Sequence, residues 1–322
     1  MTEFLPREVI ESLEGLDLVV QSVTSVPEIP RVLNQTVLCG GKRLRPTLCF
    51  LMGKILGLTA GKVAPFARAA EFTHSASLAH DDVVDNATQR RHRQTLNAST
   101  SNSRAVLAGD LLLARVMLEL SEFGNIDIIH DLAVVVEDLV NGEWLQLEAR
   151  GRVDVTWDHL LQVTLRKTAS LMSWCCTVAV RLAYPADKKL LKSAQNFGQN
   201  LGIAFQMVDD VIDFAKQGEK DYAKDLKEGL VNFVVAELLV QNPQLTGEVA
   251  KCLNQPTFDS PWTQKEIDQA LASVREKSAG YLKVAQTEFN FIKTFSDSSD
   301  PGVAECIGAI EMLIEFLKVR QS

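Results

Sequence analysis

A chain of 322 residues with 46% hydrophobic and 23% charged side chains has the balance of an ordinary globular protein, which excludes wholesale disorder. Gly and Pro number 18 and 10, too few for a fibrous chain, and aromatics at 7% with three Tyr tilt against β-sheet. The formal net charge of −8 argues against a general nucleic-acid binder, so an anionic ligand would need a local basic cluster or a metal ion.

The first residues, MTEFLPREVIESLEGLDLVV, are acidic and lack a basic run, which predicts no secretory signal. No apolar run approaches the roughly 18 residues of an integral membrane segment. Six cysteines without CxxC spacing read as small buried hydrophobes in a reducing compartment, and a cytoplasmic location follows. Apolar residues recur three and four apart over 64–84, 105–120, 131–149, 157–183, 188–215, 263–293 and 301–320, which predicts a helix over each. Asp187 and Thr263 are candidate N-caps, and Pro46 and Pro185 stand at breaks. Residues 216–228 and 294–301 read as charged surface loops, and no segment alternates like a strand. The helices around Leu107, Ala179 and Ile203 are apolar on more than one face, which suits the middle of a large bundle. With no repeat and no composition shift, the expectation is one all-α domain over residues 1–322 with ten or more helices.

Two motifs carry the chemistry, Asp81-Asp82-Val-Val-Asp85 and Asp209-Asp210-Val-Ile-Asp213. On a helix, residues i and i+4 share a face, so Asp81 stacks on Asp85 and Asp209 on Asp213. Like charges at that spacing destabilise a bare helix, and a hard cation such as Mg²⁺, sharing its shell with water and phosphates, compensates. Solvated acidic faces are the bland alternative, yet this composition yields only about 0.08 such motifs by chance. Both follow apolar runs, FTHSASLAHDD and GIAFQMVDD, which suits a greasy substrate with a diphosphate head. The basic counterparts are Gly40-Gly41-Lys42-Arg43-Leu44-Arg45-Pro46 and Arg90-Arg91 with Arg93. Arg binds phosphate oxygens bidentately and Lys acts as a point charge, so these groups suit a second diphosphate held without metal.

Taken together, GGKRLRP at 40–46, HSASLAHDDVVDNATQRR at 74–91, VLAGDLLLA at 106–114, Lys167-Thr168 and GIAFQMVDDVIDF at 202–214 resemble the trans-isoprenyl (polyprenyl) diphosphate synthases. The pattern is similar to medium- and long-chain members such as octaprenyl diphosphate synthases. The resemblance covers roughly residues 35–320. It implies mostly antiparallel helices around a central deep cavity, and a homodimer. It implies an enzyme that joins isopentenyl diphosphate to an allylic diphosphate by ionisation, condensation and proton elimination. By position it assigns Asp81, Asp82, Asp85, Asp209, Asp210 and Asp213 to three Mg²⁺ ions. Arg90, Lys167 and Lys224 are assigned to the allylic diphosphate, and Lys42, Arg45, His74 and Arg91 to isopentenyl diphosphate. Lys167, Thr168 and Gln206 are the catalytic set, the last two steadying positive charge on the reacting carbons. Without the resemblance, His74 and His80 read as satisfied helix histidines.

One helical turn rises about 5.4 Å, close to one isoprene unit, so bulk one turn below Asp81 would stop chain growth. Ala76 and Ser77 occupy that level and both are small, with Ala69, Ala70 and Thr73 a turn further down. A medium or long product, roughly C25–C45 rather than C15–C20, is the expectation. Its floor would come from another helix, with Trp144 and Met172 as candidates. Departures from the family pattern lie at His92 and Gln94, where Gly and Pro are usual, and at Leu230, where Lys is common. The stretch 214–224 is also short, so lid closure over the allylic diphosphate rests on Lys220, Lys224 or Lys227. These changes keep a non-catalytic subunit of a heteromeric synthase as an alternative. A class I terpene cyclase is disfavoured by the second diphosphate pocket. Release of so apolar a product would use a transient membrane contact, although no amphipathic anchor is visible.

Overall fold

Sequences with good helix formers and few internal breakers settle into helices along most of the chain. The computed structural model describes residues 5–18, 28–90, 93–214, 222–297 and 299–319. In chain order come α1 (Arg7–Glu14), α2 (Glu28–Gln35), α3 (Leu44–Ile55) and α4 (Ala60–Val84). Two short strands, β1 (Gln89–Arg90) and β2 (Arg93–Gln94), then pair antiparallel. They are followed by α5 (Leu96–Ser99), α6 (Asn102–Phe123), α7 (Ile126–Ala149), α8 (Trp157–Thr164) and α9 (Ser170–Ala183). The chain continues through α10 (Lys188–Asp213), α11 (Lys224–Lys227), α12 (Phe233–Gln241), α13 (Thr246–Cys252), α14 (Gln264–Ile292) and α15 (Pro301–Val319). Apart from the ribbon, regular structure among the described residues is helical, and none of these helices is long and apolar enough to cross a membrane.

The chain divides into two compact units, one of residues 1–136, 174–192 and 292–310 and the other of 137–173, 193–291 and 311–322. In the first, α4 packs on α3 and α6. A Cβ at Gly53 would lie 2.4 Å from Val63, and one at Gly109 would lie 2.3 Å from the His80 ring. The His80 imidazole uses that space to reach the Val106 carbonyl at 3.1 Å, so it is a satisfied helix histidine. Phe66 meets Phe123 edge-on at 4.6 Å, and Leu48, Met52 and Leu112 are sealed from solvent. Asp187 caps α10 through the Leu190 N–H at 2.9 Å.

In the second unit, Gly198 admits the Ser173 backbone, whose Cα would stand 2.5 Å from an added Cβ, and Gly202 does the same for Ala169 at 2.6 Å. Thr263 and Glu266 form a reciprocal capping box at the start of α14. Three expectations need correction, and one helix, α12, lies outside the predicted segments. The helix predicted over 157–183 is interrupted by a π-turn at Leu165–Ala169, a local widening set by neighbours that periodicity does not record. The stretch 222–228 is not a surface loop, because Tyr222, Ala223 and Leu226 are buried in the core with Phe214 and Trp262. Helix α12, with Phe233, Val234, Val235 and Leu238 all sealed and Glu237 paired with Lys277, is mostly apolar all round and shows no clear period. The second apolar face of α6 is not internal in this chain, since Leu107 is 62% and Leu118 is 55% exposed.

Candidate active site

In the first unit, α4 delivers the first acid motif at its C-terminus, and its three carboxylates part company there. Asp81 and Asp85 are half-buried on one face, while Asp82, a hundred degrees around the helix, is only 5% exposed. Arg90 reaches back from β1 and places Nε at 2.9 Å and Nη2 at 2.8 Å from the same Asp82 oxygen. Asn97 donates to the Asp82 carbonyl at 3.0 Å, which fastens the segment after the ribbon onto the end of α4.

The loop before α3 turns through left-handed backbone at Gly40, Gly41 and Arg43, with φ of 76°, 95° and 50°. The Arg43 guanidinium is held by the buried Glu71 carboxylate and the Leu38 carbonyl. It is therefore a structural cation, unlike the exposed Lys42 and half-buried Arg45 beside it. His74 is half-buried on α4, and Arg91 and His92 lie outside the described residues. A pocket of about 270 Å³ opens beside this loop, with Gly40, Gly41, Asp82, Arg90 and Thr95 in its wall. On α4, Ala76 is sealed from solvent, whereas Ser77 is half-buried with its hydroxyl donating to the His74 carbonyl at 2.9 Å.

In the second unit, Asp210 is 4% exposed and both its oxygens are engaged. One accepts from Gln206 Nε2 at 2.9 Å and the other from the Phe233 N–H at 3.0 Å. That second donor is an otherwise orphaned amide in the first turn of α12, which Asn232 caps through the Val235 N–H. Because Gln206 turns its NH₂ to Asp210, its carbonyl oxygen faces Thr168, whose hydroxyl donates to it at 3.2 Å. Asp213 accepts from the Lys224 and Asp225 N–H groups at 2.9 and 3.4 Å, and Asn232 Nδ2 donates to Asp225 at 3.0 Å. Burial, and then the nearby Asp225 charge, push Asp210 well above the usual carboxylate range and Asp213 up to about 7. Burial raises Asp225 as well. Asp209 is half-buried.

Lys167 lies in the π-turn, where its ammonium pairs with Glu143 of α7 and donates to Gln146 Oε1 at 3.2 Å. Gly142 makes room for it, since a Cβ there would meet Lys167 Cγ at 2.7 Å. Lys224 is exposed and 3.5 Å from Glu228, Lys227 and Leu230 are half-buried, and Lys220 lies outside the described residues. Met172 is buried. Trp144 does not suit a cavity floor in this chain, because it is 64% exposed and bonded to Glu148 at 2.9 Å. Sequence reasoning missed Glu143, Gln146, Asp225 and Asn232. Glu143 and Gln146 stand in the helix predicted over 131–149, but Glu143 meets Lys167 across 24 residues that no local pattern spans.

The half-buried carboxylates of each motif, Asp81 and Asp85 in one unit and Asp209 in the other, are hard oxygen donors of the kind that suit a hard cation. Among the described residues no three His, Cys, Asp or Glu side chains are gathered closely enough to hold a metal ion by themselves.

The family model described as polyprenyl synthetase matches residues 26–273. The human all trans-polyprenyl-diphosphate synthase is 36% identical over 226 residues, 67% of this chain and 54% of that protein. The decaprenyl-diphosphate synthase of Dictyostelium discoideum is 39% identical over 209 residues, covering 64% of this chain and 45% of that one. The chain thus spans about half the length of the curated relatives it matches. Among solved structures, a decaprenyl diphosphate synthase from Rhodobacter capsulatus superposes with a TM-score of 0.81 at 26% identity, over 96% of each chain. A polyprenyl synthase from Caulobacter crescentus CB15, complexed with calcium and isoprenyl diphosphate, gives 0.83 at 23% identity over 100% of this chain and 98% of that one.

Proposed function

We propose, because this chain belongs to the polyprenyl synthetase family, that it joins isopentenyl diphosphate to an allylic diphosphate and releases a medium- or long-chain all-trans polyprenyl diphosphate. The observation that carries this reading is the fixed chain Thr168–Gln206–Asp210–Phe233 N–H beside the lysine of the π-turn. It holds a carbonyl dipole and a hydroxyl oxygen in one orientation, which suits a developing carbocation better than a mobile amide would. No nucleophilic side chain is required for such a step.

Asp81 and Asp85, with Asp209 in the other unit, are the half-buried carboxylates that would hold divalent cations, three Mg²⁺ in this reading. When bound, such ions neutralise the charge that develops on a departing diphosphate. Asp82 and Asp210, both buried, act instead by orienting Arg90 and Gln206. Asp213 fixes the turn at 224–225 that leads to Lys224. An ammonium carries three donors, and Glu143 and Gln146 take two from Lys167, which leaves one for an allylic diphosphate oxygen. Lys42, Arg45, His74 and Arg91 would hold isopentenyl diphosphate without metal. The small Ala76 and Ser77 would let the product grow past one turn of α4. The exposed Leu107, Met117 and Leu118 on α6 support a homodimer, since a face this apolar favours a second copy over water.

The test is incubation of pure protein with isopentenyl and farnesyl diphosphates, with and without Mg²⁺, followed by chromatography of the products. Elongated products that vanish with EDTA or Asp81→Ala support the reading. No elongation by the protein alone overturns it.

A further inference from the structure

The hairpin after α4 places Arg90 directly opposite Arg93. Like charges facing each other destabilise a strand pair, by up to about 1 kcal/mol, so the arrangement calls for two anions. Asp82 supplies one, because both contacting nitrogens of Arg90 sit on its Oδ1. Arg93 has no carboxylate partner among the described residues. Its Nη1 donates to Cys39 Sγ, which orients the guanidinium at the edge of the glycine loop. Arg93 also lines the 270 Å³ pocket together with Gly40, Gly41 and Arg90.

The setting is built and not a loose charged surface. Thr95 follows the ribbon, buried, with its hydroxyl on the Ala87 carbonyl at 2.7 Å and its N–H on Thr88 at 3.2 Å. Asn97 ties the same turn to Asp82 and Ala87 at 3.0 Å each. Gly40 and Gly41 stand in the same pocket wall, and among the described residues their N–H groups make no backbone hydrogen bond. The volume sits at the small end of ligand pockets, about 300 Å³. That suits a five-carbon diphosphate and not a growing polyprenyl chain.

We propose that Arg93 is a further diphosphate-binding residue, contacting the head of isopentenyl diphosphate from the glycine-loop pocket of the first unit, where Gly40 and Gly41 lead directly into Lys42. The proposal rests on the prenyltransferase reading above and adds a residue which that reading leaves unassigned. A guanidinium offers a charge-assisted and bidentate contact, so its loss is read as a fold-change in affinity.

Calorimetric titration of the full chain in EDTA, with isopentenyl diphosphate as the probe, tests it. Arg93→Gln is expected to weaken Kd about ten-fold or more, and Arg93→Lys to restore part of it. Inorganic pyrophosphate should lose affinity in the same ratio, since the contact is to the head. In turnover, the loss should fall on KM for isopentenyl diphosphate, not on kcat or on KM for farnesyl diphosphate. A Kd for Arg93→Gln within two-fold of the parent overturns the proposal while the prenyltransferase reading stands. A parent protein that neither binds isopentenyl diphosphate without metal nor elongates overturns both.

Discussion

Replacing Asp210 by Asn changes two atoms' worth of chemistry and nearly no volume, yet the structure dictates a specific rearrangement. The Phe233 N–H cannot turn, so the single oxygen left on the substituted side chain must face it. The new NH₂ then faces Gln206, whose amide rotates to present its carbonyl, and its own NH₂ swings to Thr168 Oγ1. Every hydrogen bond survives, because a hydroxyl accepts as well as it donates. Stability therefore changes little: two charge-assisted bonds weaken by roughly 1 kcal/mol each, and the cost of burying a carboxylate is removed. The dipole beside Thr168 is reversed, however, and a reversed or missing electrostatic group of this kind costs about 3 kcal/mol of transition-state stabilisation, or 10²–10³ in kcat. Incorporation of labelled isopentenyl diphosphate measures the rate, and a thermal melt checks the fold. The Mg²⁺ concentration at half-maximal rate should stay where it was. An unchanged kcat would refute the dipole argument. A strongly raised Mg²⁺ requirement would show instead that Asp210 is a metal ligand.

Ser77→Phe should shift the product ladder to shorter chains by chromatography, whereas Ala76→Phe should mainly destabilise, by about 1–3 kcal/mol, because Ala76 is sealed in the core. Gly198→Ala drives a Cβ to 2.5 Å from the Ser173 backbone, so its denaturant midpoint should fall with a loss of about 1–3 kcal/mol. Asp213, raised to about 7, holds a proton in the folded, metal-free protein that the unfolded chain releases near pH 4. The folded state then binds more protons between those values, so the melting temperature in EDTA should fall as pH rises from 5 to 7.5. A flat or rising profile would contradict this. Glu143→Gln should raise KM for the allylic diphosphate more than it lowers the melting temperature, since the ammonium of Lys167 loses its anchor.

Local relations were legible in the order of the residues. Spacing of three and four predicted most long helices to within a few residues, and i,i+4 stacking put Asp81 with Asp85 and Asp209 with Asp213, because helical geometry links only near neighbours. It also marked Asp187 and Thr263 as caps, whose partners lie one turn away. Every pairing of distant residues came from packing. It turned Asp82 and Asp210 inward, bound Arg43 to Glu71 across 28 positions, and set Lys167 against Glu143. It buried Leu226 in a stretch rich in charge and left Leu107 in water, since burial depends on which faces meet and not on hydrophobicity alone. Chain periodicity specifies which side chains share a face, and only packing specifies what that face touches.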